Sequence, residues 1–419
     1  MDRTFPLLAR FRLRRATPQG RGASGVPHWA GTQSLVALAL LAVVSVVVGI
    51  LLGASADRLG QLGGLLLMVP AAIALQGKIF GALGSRLGTA IHAGTFRLSL
   101  RPATVVGENI LAGLALSIVS SAMLAMLAKA AAELFNIPVP MSLAAFVVIS
   151  TLGGAISSFF VLVVALGMTA GSVRFGWDPD NVTAPLVTAA ADVITLPVLL
   201  LVVPLAESEA VVGAVAIVCG AAAVVTAVSV WQSGAPSLRS ILRESFGVLV
   251  IALLLDLGAG VIVEQQEVFL GRLPSLLVLL PGYLAVGGAL GGILSSRLAS
   301  KLHLGLIEPS ALPGREARQE VRNTFLMGLP ALAGTAALAY AAARIAGLAG
   351  PGLGQMIGVA LFGGLVAVAA AALVAYYGTI VAERLGLDPD TYGIPLVTSV
   401  MDLVGALTLV AALAALAIL

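Results

Sequence analysis

The chain has 419 residues, 59% of them hydrophobic and 10% charged, with a mean hydropathy of +1.07. A soluble domain needs far more charge to cover its surface, so the composition excludes a soluble enzyme or binding module. One cysteine, Cys219, and three histidines leave no disulfide framework and no basis for a cysteine- or histidine-built metal centre.

In chain order, the first segment is a basic tail, residues 1–31, with Arg3, Arg10, Arg12, Arg14, Arg15 and Arg21. It reads as a cytoplasmic topology signal that rests on anionic headgroups, with a regulatory arm as the alternative. Gly53-Ala54-Ser55-Ala56 resembles a signal-peptide cleavage site, but the apolar run before it is long enough to span, so no cleavage is expected. Eleven apolar spans follow, at about 33–52, 62–92, 104–132, 141–172, 181–205, 210–231, 240–263, 273–303, 320–347, 353–382 and 391–418. The fold class is therefore all-α, a polytopic membrane protein. With the N-terminus inside, the basic connections (Arg97 and Arg101, Arg174, Arg239 and Arg243, Lys301 with Arg315, Arg318 and Arg322, Arg384) fall on one side. Arg58, Glu133, Glu207, Glu209, Glu264, Glu267 and Arg272 fall on the other, as the positive-inside rule requires. The odd span count places the C-terminus outside an inner (plasma) membrane.

Two blocks of sequence recur. Residues 70–94 and 281–305 match at Pro70/Pro281, Arg86/Arg297, His92/His303 and Gly94/Gly305, 211 positions apart. Residues 178–192, DPDNVTAPLVTAAAD, match 388–402, DPDTYGIPLVTSVMD, 210 positions apart. The chain thus divides into a first five-helix repeat at 32–206, a connecting helix at 207–236 and a second five-helix repeat at 237–419. Five spans plus one is even, so both repeats enter from the same side. They are expected to be parallel, about a pseudo-twofold axis along the membrane normal.

The fifth helix of each repeat carries the chemistry. Asp180 or Asp390 can cap its start, and twelve residues later, ~18 Å along the axis, stand Asp192 and Asp402. That is near the middle of a core ~30 Å thick, where a carboxylate needs a partner, a wet cavity or a cation. Thr188 and Thr398 lie four residues earlier and Pro185 and Pro395 seven earlier, on the same face. Each proline deprives one carbonyl of its donor, at Asn181 and Thr391. Two such faces across an axis form an oxygen-rich site of formal charge −2, suited to a hard divalent cation such as hydrated Mg²⁺. The competing reading is a pair of protonated acids that only bond neighbouring helices.

The second helix of each repeat is glycine-rich, with Gly77, Gly81, Gly84 and Gly88 in one and Gly288, Gly291 and Gly292 in the other. Close packing and pore lining both suit that pattern. Lys78 stands inside this helix where the second repeat has Ala289, positioned to pair with Asp192, Asp402 or Asp256. Asp256 has no obvious counterpart in the first span. Arg86 and Arg297 are expected at the inner headgroup level or on terminal carbonyls, and His92 and His303 at the interface. Glu108 and Asn109 are expected to cap the third helix, and the Asp-Pro-Asp loops to cap the fifth.

These motifs resemble the membrane domain of the MgtE-type magnesium transporters, and more closely its duplicated form in solute carrier family 41. The residues that carry the likeness are Gly-x-x-Gly-Ser-Arg-Leu at 81–87, Ser-Ser-Arg-Leu at 295–298 and the two Asp-Pro-Asp…Pro-Leu-Val-Thr-x-x-x-Asp blocks. The likeness covers both repeats. It implies Mg²⁺ as the transported ion, no cofactor, and a path between the repeats lined by helices 2 and 5 of each. It implies ion contact by Asp192 and Asp402, joined by Thr188 and Thr398. Lys78, Gly77, Gly288, Pro185, Pro395 and Asn181 are the candidates for pore lining or gating. One chain looks like a fused dimer, so a monomer suffices for a pore and a dimer is compatible with it. The expected partners are a divalent cation and the lipid bilayer, with no nucleic acid. The sensor domains of MgtE have no counterpart, and Lys78 and Ala289 depart from the family's usual Gly-Asn. The alternatives are a proton- or Na⁺-coupled carrier with Lys78 as a tethered cation and, from another class, an intramembrane transferase using the Asp-Pro-Asp loops.

Overall fold

A computed structural model describes residues 28–55, 63–92, 94, 96, 99, 101, 104–139, 141–175, 179–233, 236–384 and 389–416. Side chains are described at all of these except 28–33, 92, 175, 179–185, 236–237, 303 and 389–392. The basic tail up to residue 27 and the side chains of the Asp-Pro-Asp blocks, His92 and His303 lie outside the described set.

Helices account for nearly all of it: α1 (His28–Ala54), α2 (Leu65–His92), α3 (Val105–Leu134), α4 (Leu143–Val147), α5 (Gly153–Phe175), α6 (Pro179–Glu207), α7 (Glu209–Gln232), α8 (Pro236–Gln265), a short α9 (Glu267–Arg272), α10 (Pro274–His303), α11 (Arg315–Ile345), α12 (Leu353–Arg384) and α13 (Pro389–Ala415). A π-helical turn at Val148–Leu152 joins α4 and α5 into one span. Among the described residues, eleven segments are long and apolar enough to cross a membrane, one for each predicted span. No strand occurs among the described residues. Helix is the economical solution here, since every backbone N–H and C=O in hydrocarbon needs a partner within the segment.

Two end-of-helix readings are corrected. Thr104, not Glu108 or Asn109, caps α3, its hydroxyl accepting from the Gly107 N–H at 3.1 Å. Asn109 is buried instead and donates to the Val105 carbonyl at 2.8 Å. Glu264, read as a residue of an outside connection, sits buried in the last turn of α8. Its carboxylate accepts from the N–H groups of Gly64 and Leu67 at 2.5 and 2.7 Å and so caps α2.

The packing between halves is reciprocal. α1 lies against α10 and α11 of the second half and against α6 of its own; α8 lies against α2 and α3 of the first half and against α13 of its own. Close approach makes this work. A Cβ on Gly49 of α1 would fall on the Val278 carbonyl of α10, and one on Gly260 of α8 would fall on the Leu67 carbonyl of α2. Both glycines and both contacted residues are 211 positions apart. The third helices obey the same spacing. Each of the ten buried residues of α11, from Ala317 to Ala343, has a buried counterpart 211 positions earlier in α3. By contrast α7 is mostly exposed, presenting Ile217, Val218, Val224 and Trp231 outward, as a lipid-facing connector does.

Candidate ion site

Apart from the α1 and α8 crossings, the halves meet mainly where α2 passes α13. The ionisable residues of the membrane interior gather at this seam. Lys78 of α2 places its ammonium 2.7 and 2.6 Å from the two carboxylate oxygens of Asp256 on α8. It also stands 3.4 Å from Asp402 on α13. Of the three expected partners, these are the two it touches. The side chain of Asp256 is 1% exposed and that of Lys78 7%, so the pair is desolvated and unlike a surface bridge of marginal value. Asp192 of α6 is buried on the helix that packs along α2. Lys78, Asp256 and Asp402 form one charged cluster at the seam.

The fifth helices reach this seam by packing on glycine. An added Cβ at Gly77 would stand 3.1 Å from Thr188, and one at Gly288 3.7 Å from Thr398. Gly81 faces the Thr188 hydroxyl in the same way. Of the two readings of the glycine stripe, close packing describes these contacts: α2 holds α6 at backbone distance, and α10 holds α13. The Thr398 hydroxyl donates to the Pro395 carbonyl at 3.0 Å, and Pro395 lies inside α13. Asn181 and Pro185 lie in the first turns of α6, where side chains are outside the described set.

The paired arginines also bind across halves. Arg86 of α2 donates to Ser245 of α8 at 2.6 Å, and Arg297 of α10 donates to Ser34 of α1 at 3.2 Å. Both pairs keep the 211-residue spacing. The arginines thus tie the second helices to the crossing first helices, a role the sequence reading did not include. Beside Arg86 a small cavity of about 20 Å³ opens between α2, α3, α8 and α13, lined by Lys78, Leu116, Ser245, Leu249 and Pro395 among others.

The halves differ where polarity is needed. In the first, Gln76 joins Ser117 and Ser158 in a buried cluster, donating to Ser117 at 2.9 Å and accepting from Ser158 at 3.1 Å. In the second, Gly287 stands at the Gln76 position and Met401 packs against it. In the second half alone, Arg297 and Lys301 bridge Glu320, at 3.4 and 2.9 Å. Asp256 is the functional candidate that sequence reasoning underrated, and a signal for it existed. Its counterpart 211 positions earlier is Ser45, and the counterpart of Lys78 is Ala289. Charge is gained at both members of one interface and at neither of the other.

The MgtE family, described as divalent cation transporters, matches the chain twice, over residues 69–202 and 280–412. Solute carrier family 41 member 2 of Xenopus laevis is 26% identical over 370 residues, covering 81% of this chain and 63% of the relative. The mouse (Mus musculus) member 2 is 28% identical over 255 residues, or 59% of this chain and 44% of the relative. Member 3 of Rattus norvegicus is 24% identical over 256 residues, or 59% and 54%. The chain thus spans between 44% and 63% of the length of these curated relatives. No solved structure matches it significantly. Two matches that together cover more than half of a multi-pass helical chain settle its membership: this protein belongs to the MgtE family of divalent cation transporters.

Proposed function

We propose that the chain carries Mg²⁺ across the membrane along a path between its two halves, lined by α2 and α6 of one and α10 and α13 of the other. One observation carries this reading. Asp192 and Asp402 end the same repeated motif and are both held among apolar helices, Asp402 at the seam and Asp192 buried on α6, the helix that packs along α2. A single charged carboxylate at mid-membrane costs roughly 2.5–3.5 kcal/mol on insertion scales. Two of them on one path are stabilised together by a divalent cation.

The donors suit an ion that keeps its water. Among the described residues no three His, Cys, Asp or Glu side chains gather as a metal-binding group. Mg²⁺ dehydrates reluctantly, so two separated carboxylates bonding to its water shell match its chemistry better than a tight cage. The reciprocal packing and the constant 211-residue spacing support two parallel copies about an axis along the membrane normal. In that arrangement one chain supplies both halves of the path. The charge pattern of the connections supports an inner membrane with the N-terminus inside and the C-terminus outside.

The test is uptake in a Mg²⁺-starved, transport-deficient strain. Wild type is expected to restore growth, and Asp192→Asn and Asp402→Asn each to cut initial uptake at least about tenfold, equivalent to a loss of ~1.4 kcal/mol. Growth as fast as wild type from both variants, at equal membrane abundance, sinks the reading.

A further inference from the structure

We propose that Asp256 is a positioning residue: it claims the Lys78 ammonium ahead of Asp402 and cancels its charge, and so keeps the net charge of the ion site at −2. The inference rests on the assignment of Asp192 and Asp402 as that site. Lys78 stands 3.4 Å from Asp402 but 2.6 and 2.7 Å from Asp256, so the closer carboxylate claims it through both oxygens. Charge bookkeeping explains why this matters. A lone lysine beside Asp402 reduces a site of −2 to −1 and supplies a resident cation where a mobile one must bind. Asp256 cancels that lysine.

The mirrored interface carries an independent argument. Between α1 and α10 the two corresponding positions are Ser45 and Ala289, both neutral. Both interfaces therefore contribute zero net charge, one by having no charges and the other by pairing them. Ser45 is buried, and its hydroxyl has no partner among the described residues.

Lys78 also has a second anion in reach, since its ammonium already stands 3.4 Å from Asp402 and its side chain borders a small cavity. Without the Asp256 charge, the nearest anion is Asp402, and the ammonium settles there as a tethered competitor of the transported cation.

The experiment measures Mn²⁺ binding by electron spin resonance on full-length, detergent-purified protein, with a thermal melt of each sample. Asp256→Asn is expected to weaken Mn²⁺ binding at least about tenfold, as removal of one opposing charge at contact distance does. The double variant Lys78→Met/Asp256→Asn restores the −2 site and is expected within about threefold of wild type. Lys78→Met alone leaves −3 and is expected to bind at least about tenfold more tightly than the double variant. A merely structural pair predicts equal Mn²⁺ affinity in every variant that melts cooperatively, and that result overturns the proposal. If Asp256→Asn does not fold, the comparison of Lys78→Met with the double variant decides, since neither contains an unpaired buried lysine. Equal affinities there overturn it. Asp402→Asn runs alongside: wild-type binding by that variant defeats the ion-site assignment itself, a failure distinct from equal affinities in the Lys78 series.

Discussion

Gly260→Ala is expected to destabilise the protein by about 2 kcal/mol or more, although alanine is the better helix former by ~1 kcal/mol. The added methyl would fall on the Leu67 carbonyl, and backbone stands on both sides of the contact. Neither side can turn away as a side chain does. α8 must instead move off α2, loosening the Arg86–Ser245 and Lys78–Asp256 contacts that join the same helices. Gly49→Ala should do the same between α1 and α10, where the Val278 carbonyl is in the way. The control is in the same helix. Gly247 has nothing within 4 Å of an added Cβ, so Gly247→Ala is expected to be neutral or slightly stabilising. Thermal melts of the three detergent-purified variants measure this. If Gly260→Ala and Gly247→Ala melt together, the close crossing does not contribute as argued.

Glu264→Ala is expected to cost about 3 kcal/mol. The carboxylate is 5% exposed and serves two donors at the start of α2, the Gly64 and Leu67 N–H groups. Removing it orphans both in a buried place, and an unsatisfied buried donor costs about 1–3 kcal/mol. The opposite half shows why only one cap is needed. The counterpart of Glu264 is Gly53, which faces the start of α10. There Pro274 opens the helix with no N–H, and the Ser275 N–H, counterpart of that of Gly64, donates to the Ala349 carbonyl at 3.1 Å. Glu264→Gln keeps an acceptor oxygen and is expected to lose only about 1 kcal/mol. The ranking wild type, Gln, Ala in melting temperature is the check. An alanine variant as stable as wild type would mean that water or another group takes over both donors.

Much of this architecture was legible in the sequence. Apolar stretches of spanning length stand out against a 10% charged background, and each of the eleven has its helix. The duplicated Pro-Leu-Val-Thr-x-x-x-Asp motif likewise pointed to α6 and α13 before any coordinates. What the sequence withheld was partnership. An apolar face records that a helix is covered, not by which neighbour, so the placement of α1 on α10 rather than on α2 left no periodic trace. The same limit applies to Lys78, for which three aspartates are compatible by depth and packing selects Asp256, with Asp402 beside it. The copies, aligned position by position, do carry a signal. Gly49 matches Gly260, Ser34 matches Ser245, and the joint departure at 78 and 256 marks a contact. The π-helical turn at Val148–Leu152 has no such marker, since α12 runs straight through the corresponding region.

The crossing of the first helices bears on how this molecule can move. If one bundle tilts against the other during a transport cycle, the moving parts are not the two sequence halves. α1 travels with α10 and α11, and α8 with α2 and α3, because their glycines lock backbone to backbone. The long connector α7 then rides at the rim. Labels placed on α1 and α10 should keep a constant separation through the cycle, and the seam where α2 meets α13 should be the one that opens.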